Sequence, residues 1–341
     1  MISTRELAEL AQVSQSTISR CLNDHPSISF ETKERVRKLA LQYGYVESRK
    51  GQKALFSGKR RTIGVLITDR PFFDDLFINY TLNLIMTRAA EKNYYIIPLP
   101  LSTHKQGGME KLRDLIRLNI VDSFLILHRH FDQPLHQYLS ECGIPHVYLL
   151  HCSRNSYQAV DIIDSDNCAG GYIAAEHLLR HGHQKIIAVT CPFREYEDRT
   201  NGYRQALEEA GIPCREDFVL SVDTCYESAY RTVCENTALF SQATAVYVQS
   251  DILTLAVANA LQDNGFSIPE DISLVGSDGY QLGGIARPAL DSVAHPISEL
   301  VDLALSRLME IADTKRPQTP RQIILRPYLI RRGSVRTLQE D

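Results

Sequence analysis

From residue 62 onward the chain repeats one pattern: a short apolar, β-rich run, then a stretch of helical period, then another such run. "TIGVLITD" opens the series, followed by a helix over 74–92, "YYIIPLPL", a helix over 108–118 and "VDSFLILH". "QKIIAVTC", "TAVYVQSD" and "ISLVGSDG" are later strands, separated by helices such as 201–211 and 252–264. Apolar runs this short and continuous are buried on both faces, so the alternation predicts doubly wound parallel sheets covered by helices. About 280 residues of it exceed one core and predict two lobes.

In such sheets ligands bind outside the carboxyl ends of the strands. Asp69 and Arg70, then His128, Arg129 and His130, then Asp251 and Asp278 hold those positions. No G-x-G-x-x-G follows the first strand, no G-x-x-x-x-G-K-[ST] occurs, and no nucleophile elbow is legible. No cofactor and no enzymatic activity are therefore expected. Eight cysteines are scattered without C-x-x-C pairs, which favours free thiols over zinc or disulfides. His177 and His181 lie one turn apart but make only half a metal site, with Gly182 as the helix C′ residue, so no metal is expected.

The first 46 residues follow a different pattern. "STRELAELA" reads as a short helix, with Ser3 and Glu6 as a capping box and Leu7, Leu10 and Ala11 as its apolar face. After a break at 12–14, a second helix begins at Gln15 with Ile18 and Leu22 on its buried side. A third, over 31–43, carries Val36, Leu39 and Ala40 and ends at Gly44. Two short helices across a tight turn, braced by a third, are the helix-turn-helix plan, whose second helix enters the DNA major groove. Gln15, Ser16 and Arg20 then face bases, with Arg suited to guanine and Gln to adenine. A small helical domain with a merely solvated polar face fits the same pattern.

Charge separates the two regions. Residues 1–61 hold 12 Lys+Arg against 6 Asp+Glu, whereas the remainder holds 25 against 35. A basic head on an acidic body places the phosphate-binding surface at one end. Residues 47–61 are polar and basic with two glycines, a linker by composition. Arg5, Glu6 and Glu9 interrupt the first ten residues, so no secretory signal is expected, and no apolar run approaches a membrane span. The chain is therefore placed in the cytoplasm, with no membrane partner.

"VSQSTISRCLN", "TKERVRKLALQYGY", "IGVLITDRPFFDDL", "DNCAGGYIAAEHLLRHGH", "DRTNGYRQALEEAG", "QSDILTLAVANAL", "IPEDISLVGSDG" and "RPALDSVAHP" occur in the order and spacing of the lactose-repressor/galactose-repressor (LacI/GalR) family. The chain resembles that family over nearly its whole length. The resemblance implies a homodimeric transcription regulator, a repressor by expectation, that binds double-stranded operator DNA. Its core would resemble periplasmic sugar-binding proteins and set operator affinity through a small-molecule effector. It implies domains at 1–46 (helix-turn-helix), 47–61 (hinge) and 62–341 (core), the core being an N-lobe of about 62–160 and 292–320 and a C-lobe of about 161–291 and 321–341. The chain would cross between lobes near 159–162, 290–293 and 319–323.

By the same resemblance Ser3, Ser14, Thr17, Asn23 and Tyr45 contact phosphates and Leu55 wedges into the minor groove from a hinge helix that Gly51 weakens. Ser14 and Thr17 also suit a helix cap. Phe72, Phe73, Arg129, Arg199, Asp251 and Asp278 form the implied effector site, with Arg199 and Asp278 gripping hydroxyls from opposite walls. Asp251 equally suits a cap for a helix beginning at Ile252, and the phenylalanines equally suit core packing. Thr224 stands where many members place a stacking aromatic, and the chain has no tryptophan. With Arg70, Arg194 and the 128–130 run nearby, the effector is a sugar or sugar derivative, either neutral or an anion held by Arg129 and Arg199. A cytosolic binding protein or enzyme built on the same core is the competing reading, and it would not need the basic head.

Overall fold

The computed structural model describes residues 4–22, 25–43, 61–68, 76–100, 107–118, 120–128, 132–150, 160–279, 281–314 and 319–338. They fall into two units, Met1–Arg61 and Thr62–Asp341.

In the first unit, helices α1 (Thr4–Leu10), α2 (Gln15–Leu22) and α3 (Phe30–Gln42) enclose a small core. Leu7, Ala8, Ala11, Ile18, Cys21, Leu22, Val36 and Ala40 are buried in it, with Leu39 packed alongside. The expected apolar face of α1 needs one correction, because Leu10 is 44% exposed and Ala8 is buried in its stead. At 3.6 residues per turn, Leu7, Ala8 and Ala11 share one sector, and Leu10 points about 110° away from its centre. The helix start at Ser3 and the stop at Gly44 lie outside the described residues.

In the second unit the strands, in chain order, are β1 (Thr62–Thr68), β2 (Tyr95–Leu99), β3 (Ser123–His128), β4 (His146–Leu149), β5 (Ile162–Ser165), β6 (Ile186–Thr190), β7 (Val219–Ser221), β8 (Ala245–Val248), β9 (Ser273–Asp278), β10 (Asp291–Ala294), β11 (Gln322–Leu325) and β12 (Tyr328–Ile330). They form two six-stranded sheets, ordered β11-β5-β4-β3-β1-β2 and β12-β10-β9-β8-β6-β7. The described pairings are parallel except β10 with β12. Each sheet is covered on both faces, as continuous apolar strands require. On the first, helices Leu76–Glu91 and Ile297–Asp313 bury Ile78, Ile85, Leu300 and Leu305 on one side, and Leu112, Leu135 and Leu139 cover the other. On the second, helices Asn167–Arg180 and Arg194–Glu209 pack opposite Tyr226–Glu235 and Asp251–Asp263. The helix expected over 201–211 thus starts at Arg194, seven residues early. Phe193 sits extended at its cap position, and Glu195 and Glu197 in its first turn suit the positive end of the helix dipole.

The sheets exchange chain three times, each time later than expected. β5 and β11 complete the first sheet, so those crossings follow Ser165 and Leu325, and β10 belongs to the second sheet, so the remaining crossing follows Ala294. The expected crossings near 159–162, 290–293 and 319–323 coincide instead with the starts of three short strands. A four-residue strand offers too little periodicity to be told from a linker by pattern alone.

The C-terminal segment is pinned beneath β10 by one carboxylate. Asp291 Oδ1 accepts backbone N–H bonds from Arg332 at 2.6 Å, Gly333 at 2.7 Å and Ser334 at 3.2 Å, while Oδ2 lies 2.9 Å from His177 Nε2. Burial opposes its charge, but the His177 and backbone donors outweigh burial and hold the carboxyl below its ordinary pKa. A depressed folded pKa contributes stability that is complete above the unfolded value of about 4 and fades as pH falls through the folded one. Hydrogen bonds to a charged group contribute about 1.5–3 kcal/mol each. Asp291→Asn is therefore expected to cost about 2 kcal/mol at pH 7, with the gap to wild type narrowing as pH falls below about 4. Urea unfolding across that range measures it, and a pH-independent gap would show that charge is not what Asp291 contributes. His177 and His181 are accordingly structural: His181 Nδ1 bonds the His177 carbonyl at 2.8 Å, and Gly182, with φ of 83°, follows as the expected C′ residue.

Candidate functional site

Arg199 lies on the helix Arg194–Glu209 and is only 7% exposed, so its guanidinium must find acceptors inside the protein. Nε donates to Asn167 Oδ1 at 2.9 Å and Nη2 to His295 Nε2 at 2.9 Å. Nη1 donates to Asp278 Oδ1 at 3.0 Å and to the Gln249 carbonyl. The guanidinium carbon sits 5.4 Å from the centroid of the Tyr196 ring. Burial opposes the charge, but Asp278, together with the nearby Tyr196, Tyr247 and Glu195, more than offsets it and holds Arg199 cationic, above its ordinary value.

The partners stand where parallel sheets place ligands. Asp278 ends β9, Gln249 follows β8, and His295 follows β10, while Ser165 ends β5 of the other sheet. Asp278 adopts a φ of 83°, in the left-handed region that aspartate tolerates better than most non-glycine residues. The Gln249 side chain is locked by Thr190 Oγ1, which donates to its Oε1 at 2.9 Å, and by its own Nε2, which donates to Thr200 Oγ1 at 2.9 Å. That lock aims the Gln249 backbone carbonyl at Arg199. His295 is neutral, because burial and the Arg199 charge push its pKa well below the ordinary range. Its 3.7 Å approach to Asp278 is therefore no ion pair. With Nε2 accepting from Arg199, the ring proton belongs on Nδ1, which donates to Ser165 Oγ at 2.7 Å.

Of the residues the sequence singled out for the effector site, the structure brings Arg199, Asp278 and Asp251 together. Asp251 is the first residue of its helix, not the residue before it, and Ser250 occupies the cap position. Its backbone N–H lies 3.4 Å from Asp278 Oδ2, and its Oδ1 lies 3.4 Å from Ser292 Oγ. Phe72, Phe73 and Arg129 lie outside the described residues, as do Asp69, Arg70, His130 and the His128 side chain. Arg194 is exposed in the helix's first turn and Thr224 is half-buried. Sequence reasoning missed Asn167, Gln249, His295 and Ser165. The strand-end rule would have reached Ser165 and His295 had β5 and β10 been recognised as strands.

In the head, α2 presents Gln15, Ser16 and Arg20 to solvent while Ile18, Cys21 and Leu22 anchor the opposite face. Ser14 caps this helix, its Oγ accepting the Thr17 N–H at 3.1 Å and lying 2.8 Å from the hydroxyls of both Ser16 and Thr17. Ser3, Asn23, Tyr45 and Leu55 lie outside the described residues. No group of three or more His, Cys, Asp or Glu able to hold a metal occurs among the described residues, and none of their helices is long and apolar enough to cross a membrane.

A helix-turn-helix unit joined to paired parallel sheets, with a polar cluster where the sheets exchange chain, defines a DNA-binding regulator with a ligand-responsive core. Residues 4–48 match the model of the bacterial regulatory proteins of the lacI family, and residues 175–335 match the periplasmic binding protein-like domain. The chain belongs to the LacI family of DNA-binding transcriptional regulators. It is 29% identical to the HTH-type transcriptional regulator CelR of Thermobifida fusca over 338 residues, 96% of each chain. It is also 29% identical to the HTH-type transcriptional repressor PurR of Vibrio campbellii over 344 residues, 99% of this chain and 100% of the relative. Among solved structures, a CelR–cellobiose complex superposes with a TM-score of 0.69 at 26% identity, covering 98% of this chain and 100% of that one. The lac repressor dimer bound to operator and the anti-inducer ONPF superposes at 0.78 and 20% identity, covering 98% and 99%, a likeness of fold.

Proposed function

We propose that this protein is a transcriptional repressor, not an enzyme, that binds a near-palindromic operator as a C2 homodimer. Gln15, Ser16 and Arg20 would read bases, and Ser3, Ser14, Thr17, Asn23 and Tyr45 would hold phosphates, with Leu55 in the minor groove. The observation that carries the reading is α2 itself, a capped helix whose polar face is exposed and whose apolar face is anchored in a basic head. The PurR relatives are named repressors, which supports the direction of control. Arg20→Ala is expected to cost about 1–3 kcal/mol at one base position and to relax preference there. Titration against single-base operator variants checks this. A uniform loss with a shallower salt dependence would reassign Arg20 to phosphate, and light scattering that finds only monomer would remove the dimer.

For the core we infer a neutral, hydroxyl-rich effector, a sugar, bound at Arg199 and Asp278 with Asp251, Phe72, Phe73 and Arg129 nearby. CelR was solved with cellobiose, and a LacI-family regulator from Enterococcus faecium, 26% identical, with ribose. Four of the five Arg199 N–H groups are committed to protein acceptors, and Asp278 balances its charge. That arrangement disfavours an anion gripped by Arg199, which would need a free bidentate fork. Operator titrations with neutral sugars beside their phosphorylated forms test the reading, and a response to the phosphorylated forms alone would reverse it.

A further inference from the structure

Within the polar cluster His295 has bonds that reach both sheets. It follows β10 of the second sheet and opens the crossing to the helix Ile297–Asp313, which packs on the first. Its Nε2 accepts from Arg199, and its Nδ1 donates to Ser165, the last residue of β5 in the first sheet, 130 positions away in sequence. The ring also meets Phe77 of the helix Leu76–Glu91 edge-on, at 6.1 Å between centroids and 73° between planes. Ser165 itself stands at another crossing, two residues before Asn167, whose side chain takes the Arg199 Nε–H. Two of the three crossings are thus tied to one guanidinium.

We propose that His295 is a positioning residue that couples the effector site to the relative placement of the two sheets: its imidazole relays the position of Arg199 to Ser165. The job needs an acceptor on one side of a compact group, facing a cation, and a donor on the other side, facing a hydroxyl. A neutral imidazole meets both demands with its two ring nitrogens. A ligand that moves Arg199 must then carry Ser165 with it or break a buried bond. Such a discrete alternative lets binding in the core select between two arrangements of the sheets. His295 is distinct from a sugar contact in this role, since both its nitrogens are spent on protein groups. Phenylalanine in its place keeps a ring beside Phe77 but loses both bonds. Glutamine keeps one acceptor and one donor.

The test uses the full chain and two readouts. In hydrogen exchange without any ligand, His295→Phe is expected to speed exchange about tenfold or more at the crossing amides of Asp166, which bonds the Leu325 carbonyl, and Ile297, which bonds that of His295. Amides inside β3 and β8 should be unchanged, and His295→Gln should restore wild-type protection. Unchanged exchange in His295→Phe, equal acceleration in both variants, or acceleration spread evenly over β3 and β8 would overturn the relay. The second readout rests on the sugar reading above and uses cellobiose as the probe. The ratio of operator Kd with and without it should collapse toward 1 in His295→Phe and persist in His295→Gln, and a ratio retained in His295→Phe would also overturn the relay. A wild-type protein indifferent to cellobiose counts against that sugar alone, and the exchange measurement still decides the role of His295.

Discussion

Gly202→Ala is expected to be among the most damaging single substitutions in the core. The helices Asn167–Arg180 and Arg194–Glu209 cross so closely that a Cβ on Gly202 would sit 1.8 Å from the Cys168 carbonyl oxygen. The crossing is reciprocal, because a Cβ on Gly171 would sit 1.8 Å from the Arg199 carbonyl oxygen. Both obstacles are backbone, so no side chain can turn aside and the helices must separate. Overpacking typically costs about 1–3 kcal/mol, and a clash with rigid backbone belongs at or above the upper end of that range. Calorimetry should show a fall in Tm of several degrees, and the effector response should fail with it, since Arg199 and Asn167 ride on the two displaced helices. A Tm equal to that of wild type would show that the helices tolerate separation.

Arg199→Ala is expected to leave a protein that still binds its operator but no longer responds to the effector. Removing one partner of a buried charge pair strands the other, at a cost of about 3–5 kcal/mol in stability. Here Asp278, the Asn167 and Gln249 oxygens and His295 Nε2 all lose their donor together. Effector affinity should drop by about 2 kcal/mol or more, roughly thirtyfold. Asp278→Asn keeps the left-handed backbone accessible and most of the shape, so it separates charge from geometry. Operator titration with and without sugar, beside urea unfolding of each variant, distinguishes a lost ligand contact from a lost fold. Normal responsiveness in Arg199→Ala would place the effector elsewhere.

Much of this protein was legible in local pattern. Continuous apolar runs such as those at 63–67 and 245–248 demand cover on both faces, and their alternation with helical stretches leaves few folds besides paired parallel sheets. Ile18 and Leu22, one turn apart after a polar break, placed α2 correctly, and the burial of Ile18, Cys21 and Leu22 is what turns Gln15, Ser16 and Arg20 outward. Asp278 could be named because it ends a recognisable strand, whereas Arg199 was named by the family resemblance of the segment around Gly202.

Neither lobe assignment nor the company Arg199 keeps was legible in the same way. β5, β10 and β11 are four residues each, and which sheet a strand that short joins depends on partners far away in sequence. Leu10 points outward because three neighbours agree on a different sector, which only packing against α2 and α3 decides. Asn167, Gln249 and His295 are ordinary polar residues in sequence, separated from Arg199 by 32, 50 and 96 positions. They become a site because a buried guanidinium needs its acceptors in three dimensions. The sequence alone determined the periodicities, and with them the class of fold and the exposed face of α2, since these depend on neighbours within one or two turns. Only the tertiary structure decided how two sheets share three crossings and gather four acceptors around one cation, because burial and hydrogen-bond satisfaction are settled between residues brought together by folding.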